Sequence, residues 1–336
     1  MKEEYKAVVE KAIIVALAVW ISIIICDYFG LSKFYAGIAA LNVINLNDAK
    51  TRRQAYERTI TTFCGGLVAC LIAYSGFQEN MFLYILGLAI VCCITEFVIK
   101  VPATVGCIAF TYIMLNIDPS KSPNNYLEER VLGTAAGAII VSLIVTAYSK
   151  IKHVETTNVG QTQRKHLKEH LQRAIIPGIA VLLGYFIVSY LNKHMSSKYV
   201  TNYTLYYCAL ASVVPFHVDM KELLHKSKER VVSTIVGGLI ASVFVFFNLY
   251  GVFWTGCGIL IIIIFIEIFI KVSASLGGIV FLFIMVNMKD GITPLVYYVD
   301  RVIGTVIGII LIILVSYLIG RLKNYILVPR GDKCKF

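Results

Sequence analysis

The sequence predicts an all-α polytopic membrane protein with about twelve transmembrane helices, arranged as two parallel six-helix halves, each an inverted 3+3 repeat. Three observations predict this fold class: an apolar composition, twelve apolar segments and an arginine-centred motif that occurs four times. Of the 336 residues, 58% are hydrophobic and 15% charged, and the mean hydropathy is +0.77. Soluble domains are about 45–50% apolar and about 25% charged. The composition therefore indicates a chain whose outer surface contacts the lipid bilayer.

Twelve apolar segments approach or reach the length of a membrane-spanning helix, which needs roughly 20 residues, or about 17 at minimum. Short connections join them. The second, fifth, eighth and eleventh segments are short and moderately polar, which is typical of helices that line an interior. The predicted spans are 9–27, 34–47, 59–76, 81–99, 102–117, 131–148, 174–192, 200–216, 231–248, 252–270, 273–288 and 302–320.

The basic residues are distributed unevenly between the two sets of connections. With the N-terminus in the cytoplasm, the inner segments carry 24 of the 31 Lys and Arg residues and the outer segments carry 7. This bias follows the positive-inside rule and predicts that both termini are cytoplasmic. The net charge of +11 thus reflects topology, and no nucleic-acid partner is expected. We expect a multi-pass protein of the bacterial cytoplasmic membrane.

The pattern acid-Arg-x-x-small-Thr-x-x-Gly, seen as ERVLGTAAG at 129–137, opens the third, sixth, ninth and twelfth predicted spans. On a helix, its Arg, small residue, Thr and Gly lie on one face. Small residues let a neighbouring helix approach closely, and Thr can hydrogen-bond across the contact. We therefore assign the glycines to helix packing. The four copies contain Arg58 and Gly65, Arg130 and Gly137, Arg230 and Gly237, and Arg301 and Gly308.

The chain is internally duplicated, because residues 96–137 align without a gap on residues 267–308. Six spans per half give both halves the same orientation, whereas three spans between consecutive motifs invert the units within each half. Such nested repeats are typical of transporters, although some channels share this pseudosymmetry. The predicted regions are a first six-helix repeat (1–150), a basic cytoplasmic linker (151–173), a second six-helix repeat (174–325) and a cytoplasmic tail (326–336).

The motif arginines admit two interpretations. A charge at the bilayer centre costs at least about 2.5–3.5 kcal/mol, so an intramembrane ionisable residue is a candidate for function. At a helix start, however, an arginine can extend to the interface or pair with its adjacent acid. In the functional interpretation, the guanidinium groups bind carboxylates and cationic rings select anions. The predicted rings are an inner one of Arg58 and Arg230 and an outer one of Arg130 and Arg301.

Other polar residues are also candidates for function. Two acid–base pairs spaced i,i+4, Glu96–Lys100 and Glu267–Lys271, suit either an intrahelical ion pair or coupling to proton movement. Polar side chains of the short spans line an anion pathway or, alternatively, hydrogen-bond between helices; Asn47, Asn116 and Asn287 are assigned to the pathway. The remaining polar candidates are Asn42, Asn45, Thr111, Tyr112, Thr204, Tyr207, Ser212 and His217.

No catalytic, metal or cofactor pattern is recognisable in the sequence. Nine cysteines are scattered without metal-ligand spacing, several of them within spans, and we interpret them as buried thiols. No Walker A sequence, nucleophile elbow or paired carboxylate set is present. We therefore expect no enzymatic activity, no metal and no cofactor.

At these motifs the chain resembles the fusaric acid resistance / aromatic acid exporter superfamily, which includes the plant aluminium-activated malate transporters. The resemblance lies in a short glycine-containing span followed by a loop and the motif arginine; the spans read YAGIAALNVI, TVGCIAFTYIML and SLGGIVFLFIMVN. It implies a six-span unit that pairs, with basic residues around a central path for organic anions. Here both units lie in one chain, which would form a pseudo-dimer; further homo-oligomerisation stays open.

The sequence therefore predicts a membrane transporter for small organic anions that exports aromatic or other carboxylates. Because no ATPase pattern is present, we expect an ion gradient to drive any active transport. Two alternatives stay open: a passive anion channel, and a membrane scaffold or assembly factor for envelope synthesis in which the arginines are structural.

Overall fold

The computed structural model describes residues 2–152, 167–194, 200–286 and 293–327. Over these residues it contains twelve α-helices and no β-strand, which confirms the predicted helix count. The helices are α1 (Lys2–Tyr28), α2 (Lys33–Val43), α3 (Asp48–Ile72), α4 (Met81–Cys92), α5 (Thr104–Met114), α6 (Pro123–Lys152), α7 (Leu167–His194), α8 (Asn202–Val213), α9 (Met220–Phe246), α10 (Val252–Ile264), α11 (Ser275–Val286) and α12 (Pro294–Leu327).

Among the described residues, eight helical segments are long and apolar enough to cross a membrane. They are α1, α3, α6, α7, α9 and α12, together with α4 and α10 when the π-helical segments that continue them are included (Met81–Ile99 and Val252–Ile270). The other four, α2, α5, α8 and α11, have 11 or 12 residues each. At 1.5 Å per residue they extend roughly 17–18 Å, short of the roughly 30 Å hydrocarbon core. Each of these four helices is also shorter than the span that the sequence predicted for it. Irregular backbone at membrane depth is tolerated where it is buried in protein or lines a cavity.

The motif arginines lie two to three turns inside their helices. Helix α3 begins at Asp48, ten residues before Arg58, and α6 begins at Pro123, seven residues before Arg130. Helices α9 and α12 share this arrangement, so the expectation that the arginines lie at helix starts is wrong. Hydropathy does not predict these first turns as part of the helices, because they are polar. In α3, ion pairs between residues spaced i,i+4 stabilise them.

Three helices continue into π-helical segments: α3 into Ala73–Phe77, α4 into Cys93–Ile99 and α10 into Phe265–Ile270. The last two are equivalent in the duplicated sequence. Each ends at a lysine in the left-handed conformation, Lys100 with φ 64° and Lys271 with φ 59°. A left-handed residue stops a helix, and in both halves the chain then turns into a short helix.

Each motif helix packs against a short helix of the same half: α3 against α5, α6 against α2, α9 against α11, and α12 against α8. The motif glycines lie at these contacts, where a Cβ atom would overlap the neighbouring helix. The contacting pairs are Gly65 with Gly106, Gly137 with Ala36, Gly237 with Gly277, and Gly308 with Cys208.

The two halves contact each other in a symmetric pattern. Helix α1 packs against α10 as α7 packs against α4, and α2 packs against α11 as α8 packs against α5. Exchanging the halves therefore reproduces both of these pairs of contacts. The predicted linker (151–173) and tail (326–336) fall partly outside the described residues, and their described ends belong to α6, α7 and α12.

Candidate functional site

A cavity of about 740 Å³ lies between the motif helices and the short helices. All four motif arginines, Arg58, Arg130, Arg230 and Arg301, line it. The structure therefore brings into one cavity the residues that were predicted to form two separate rings. Aromatic side chains form much of the remaining wall: Phe34, Tyr35, Tyr112, Tyr126, Tyr203, Tyr206, Phe283 and Tyr297.

The acids adjacent to the motif arginines do not neutralise them. Glu57 accepts a hydrogen bond from Arg53 Nε at 2.7 Å, and Glu129 pairs with Lys121. In the other half, the acid before Arg301 is Asp300. Its carboxylate accepts hydrogen bonds from the hydroxyl groups of two threonines in the α8 cap. Among the described residues, no ion pair joins a motif guanidinium to a carboxylate.

Arg130 is held by tyrosine side chains. Its Nη1 donates a hydrogen bond to the Tyr126 hydroxyl, and its Cζ lies 5.2 Å from the centroid of the Tyr35 ring. Tyr112 stacks on Tyr126 with centroids 4.0 Å apart, and Tyr206 meets Tyr112 edge-on at 5.2 Å. Arg130 is 8% exposed, so these aromatic contacts orient a nearly buried cation at the cavity wall.

Arg301 has the equivalent surroundings in the second half. Its Nη1 donates to the Tyr297 hydroxyl at 2.7 Å, and its Cζ lies 4.8 Å from the centroid of the Tyr207 ring. Phe283 stacks on Tyr297 with centroids 4.1 Å apart, and Phe34 meets Phe283 edge-on at 5.2 Å. The duplicated sequence thus builds the same guanidinium–aromatic arrangement twice.

Arg58 and Arg230 are held by fewer contacts. The Nε and Nη1 atoms of Arg230 are buried without a hydrogen-bond partner among the described residues. Arg58 is close enough to Arg130 for the two guanidinium groups to repel each other, and Arg230 has the same relation to Arg301. Two pairs of like charges face one cavity, and a bound anion would relieve this repulsion.

Other charged residues of the wall leave the cavity positive. Besides the four arginines it contains Lys121, Asp118, Glu129 and Asp300. Glu129 is paired with Lys121, and threonine hydroxyl groups donate to Asp300. Five basic residues face three acidic ones, so the wall carries an excess of positive charge.

The asparagines predicted for the pathway lie elsewhere or outside the described residues. Asn47 caps helix α3 by accepting a hydrogen bond from the Lys50 backbone N–H at 3.1 Å. Asn116 has a left-handed backbone with φ 46°, and its Nδ2 donates to Glu79 at 3.0 Å. Neither belongs to the wall of the central cavity. Asn287 lies outside the described residues.

The two predicted acid–base pairs do not belong to the cavity wall either. Glu267 accepts hydrogen bonds from Lys11 Nζ at 2.7 and 3.0 Å, which joins the π-helical end of α10 to α1 of the other half. Glu96 Oε1 accepts from the Ala103 backbone N–H at 3.4 Å. Because Lys100 and Lys271 end their helices in the left-handed conformation, regular i,i+4 geometry does not continue through them.

Tyr112 and Tyr207 were among the polar candidates for the pathway. The other tyrosines around the arginines were not predicted as site residues, although a sequence signal for two of them exists. Tyr126 precedes Arg130 by four residues, and Tyr297 precedes Arg301 by four. Residues spaced i,i+4 are neighbours on a helix surface. No comparable local signal marks Tyr35, because it reaches Arg130 from another helix.

The comparisons with known proteins agree with the resemblance noted in the sequence. The comparison with curated proteins found no match, and neither did the comparison with solved structures. Together with the apolar helices, the family comparison indicates a multi-pass membrane protein. Residues 13–145, which include Arg58 and Arg130, match the family described as Fusaric acid resistance protein-like, as the sequence predicted.

Proposed function

We propose that this chain is a membrane transporter for small organic anions and that it exports aromatic or other carboxylates. One observation carries the proposal: four arginines, from four helices and both halves, converge on one aromatic-lined cavity without forming an ion pair with a described carboxylate. The match to the Fusaric acid resistance protein-like family supports it.

The chemistry of the wall suits a carboxylate attached to an apolar body. Guanidinium groups bind carboxylates through charge-assisted hydrogen bonds, which are shorter and stronger than neutral ones. The aromatic rings offer apolar faces for the remainder of the molecule. A volume of about 740 Å³ lies within the usual range of about 300–1,000 Å³ for small-molecule sites.

The arrangement of the helices supports transport by alternating access. In the proposed scheme each half is an inverted 3+3 repeat, and the halves rearrange around the shared cavity. The contacts between motif helices and short helices, which are repeated in both halves, agree with this scheme. Both termini lie in the cytoplasm of a bacterial cell, as the distribution of basic residues predicts, and an ion gradient drives export.

Flux measurements on the purified chain in proteoliposomes test the proposal. Radiolabelled phthalate is a suitable probe, because it is a dianion at neutral pH and crosses protein-free bilayers slowly. We expect wild-type flux to exceed that of protein-free liposomes, and Arg130→Gln combined with Arg301→Gln to lower it at least about tenfold, since each charged hydrogen bond contributes about 1.5–3 kcal/mol. Accumulation against a phthalate gradient on imposing a proton gradient would distinguish an active transporter from a passive channel.

Arg52→Gln is the matched control, because Arg52 lies on α3 but is exposed, pairs with Asp48 of the same helix and does not line the cavity. It should leave phthalate flux unchanged. No flux by the wild-type chain, or undiminished flux in a folded Arg130→Gln/Arg301→Gln variant, would contradict the proposal and favour a structural role for the arginines.

A further inference from the structure

The aromatic wall of the cavity is asymmetric, and the alignment of the two halves makes this visible. The offset of 171 residues places Tyr112 of α5 at the position equivalent to Phe283 of α11. Helices α2 and α8 can be matched through the glycines that touch them, since Gly137 contacts Ala36 and Gly308 contacts Cys208.

Phe34 lies two residues before Ala36, and Tyr206 lies two residues before Cys208. Phe34 of α2 is therefore equivalent to Tyr206 of α8. The ring geometry is the same on both sides. Tyr206 meets Tyr112 edge-on at 5.2 Å and 88°, and Phe34 meets Phe283 edge-on at 5.2 Å and 89°. All four rings line the cavity. The two sides therefore differ in hydroxyl groups and not in the placement of the rings.

These two hydroxyl groups are available to a ligand. Tyr126 and Tyr297 already accept hydrogen bonds from the motif arginines. Tyr112 and Tyr206, by contrast, contact their neighbours through their rings, and their hydroxyls form no hydrogen bond with any residue that the structure describes.

Tyr206 shares one cavity wall with the charges of both halves. The same wall contains Arg130, Arg230 and Arg301. A phenol can donate one hydrogen bond while its oxygen faces a cation. A carboxylate beside Tyr206 would therefore receive a hydrogen bond from the phenol as well as from guanidinium groups. No such donor exists at the equivalent Phe34.

We propose that Tyr112 and Tyr206 are specificity-determining residues that fix the orientation of the anion. The carboxylate lies on their side of the cavity, next to Arg130, and the apolar body of the ligand lies against Phe34 and Phe283. This inference rests on the proposed function and adds to it. The arginines alone, one pair from each half, would allow the carboxylate to bind at either end of the cavity.

Binding of benzoate to the purified chain, measured by titration calorimetry, tests the role of the hydroxyl groups. Tyr206→Phe and Tyr112→Phe remove one oxygen atom each and preserve the rings. We expect each to weaken benzoate binding about tenfold, because a hydrogen bond to a charged group is lost. The matched control is Tyr74→Phe, which removes the hydroxyl of an exposed tyrosine outside the cavity wall and should leave the affinity unchanged.

An exchange variant tests the orientation itself. It combines Tyr112→Phe and Tyr206→Phe with Phe34→Tyr and Phe283→Tyr, which moves both hydroxyl groups to the Arg301 side. In the otherwise wild-type chain, Arg130→Gln should weaken benzoate binding more than Arg301→Gln does. In the exchange variant this order should reverse. An unchanged order would overturn the inference, provided that both variants elute as single folded species.

The outcomes separate this inference from the proposed function. If Arg130→Gln weakens benzoate binding while Tyr112→Phe and Tyr206→Phe leave it within about twofold, the orientation inference is wrong and the anion site stands. If the wild-type chain binds neither benzoate nor the apolar carboxylate hexanoate, both are wrong.

Discussion

Arg58 and Arg230 occupy equivalent positions in the two halves but have different surroundings. Arg230 is 4% exposed, and two of its guanidinium nitrogens are buried without a partner among the described residues. Arg58 is partly exposed and lines a second pocket of about 180 Å³ in addition to the central cavity. Duplication has therefore preserved the arginine at this position, whereas the exposure of its guanidinium group differs between the two halves.

A single hydroxyl group helps to explain this difference. In the second half, Ser233 Oγ donates to the Ser273 backbone carbonyl at 2.8 Å and so joins α9 to the segment before α11. In the first half the equivalent Thr61 donates to the Glu57 carbonyl of its own helix at 2.7 Å. Pro102 is the equivalent of Ser273. Thr61 and Pro102 both line the second pocket, so the pocket lies where a hydrogen bond joins the equivalent residues of the second half.

The packing of the motif glycines is the feature that the two halves share most closely, and its loss should have the largest effect. We expect Gly65→Ala and Gly237→Ala each to destabilise the chain by about 3 kcal/mol, since the added Cβ would overlap the backbone of Gly106 or Gly277. The thermal unfolding midpoint in detergent measures this. Gly320→Ala is the control, because nothing lies within 4 Å of its Cβ position. An unchanged midpoint for either first variant would contradict the close packing.

Replacing the two equivalent arginines should sharpen the comparison. Arg230→Met removes a buried charge with unsatisfied donors, so we expect the free energy of unfolding to rise by about 1–3 kcal/mol. Arg58→Met should change it by less than about 1 kcal/mol, because Arg58 is partly exposed. Chemical unfolding of the ligand-free chain measures both values. A loss of stability in Arg230→Met would show that its guanidinium has a stabilising partner.

The hydroxyl contacts of Ser233 and Thr61 give the smallest expected effect. Ser233→Ala should cost about 1 kcal/mol, because it removes a hydrogen bond that joins α9 to the segment before α11. Thr61→Ala should cost less, since the Glu57 carbonyl that it bonds belongs to the same helix. Unfolding midpoints of the two variants test the order. Equal midpoints would contradict the view that this hydroxyl joins two elements in the second half only.

Much of the fold was predictable because it depends on local and repeated patterns. Apolar runs gave the twelve helices, and the four-fold motif located the arginines that line the cavity. Helix starts were not predictable from hydropathy, because the turns before the arginines are polar. An ion pair and a cap stabilise the turns before Arg58, and the Ser122 hydroxyl caps the helix before Arg130. Those turns place the arginines deeper in their helices than the apolar runs suggest.

The site was predictable only in part, because its geometry depends on distances between helices. Sequence symmetry suggested an inner and an outer ring, whereas packing brings all four arginines to one cavity. Asn47 and Asn116 were assigned to the pathway by their polarity, yet each lies at a chain reversal. Tyr206 of α8 lines the same cavity as the arginines of both halves, and no spacing along the chain encodes that arrangement.

The stoichiometry of anion binding tests the central claim most directly. If both halves build one shared site, equilibrium dialysis of the purified chain with benzoate should give one bound anion per chain. Arg130→Gln combined with Arg301→Gln should abolish that binding. Two equivalent anions per chain, one for each half, or binding that persists in the double variant, would contradict the claim.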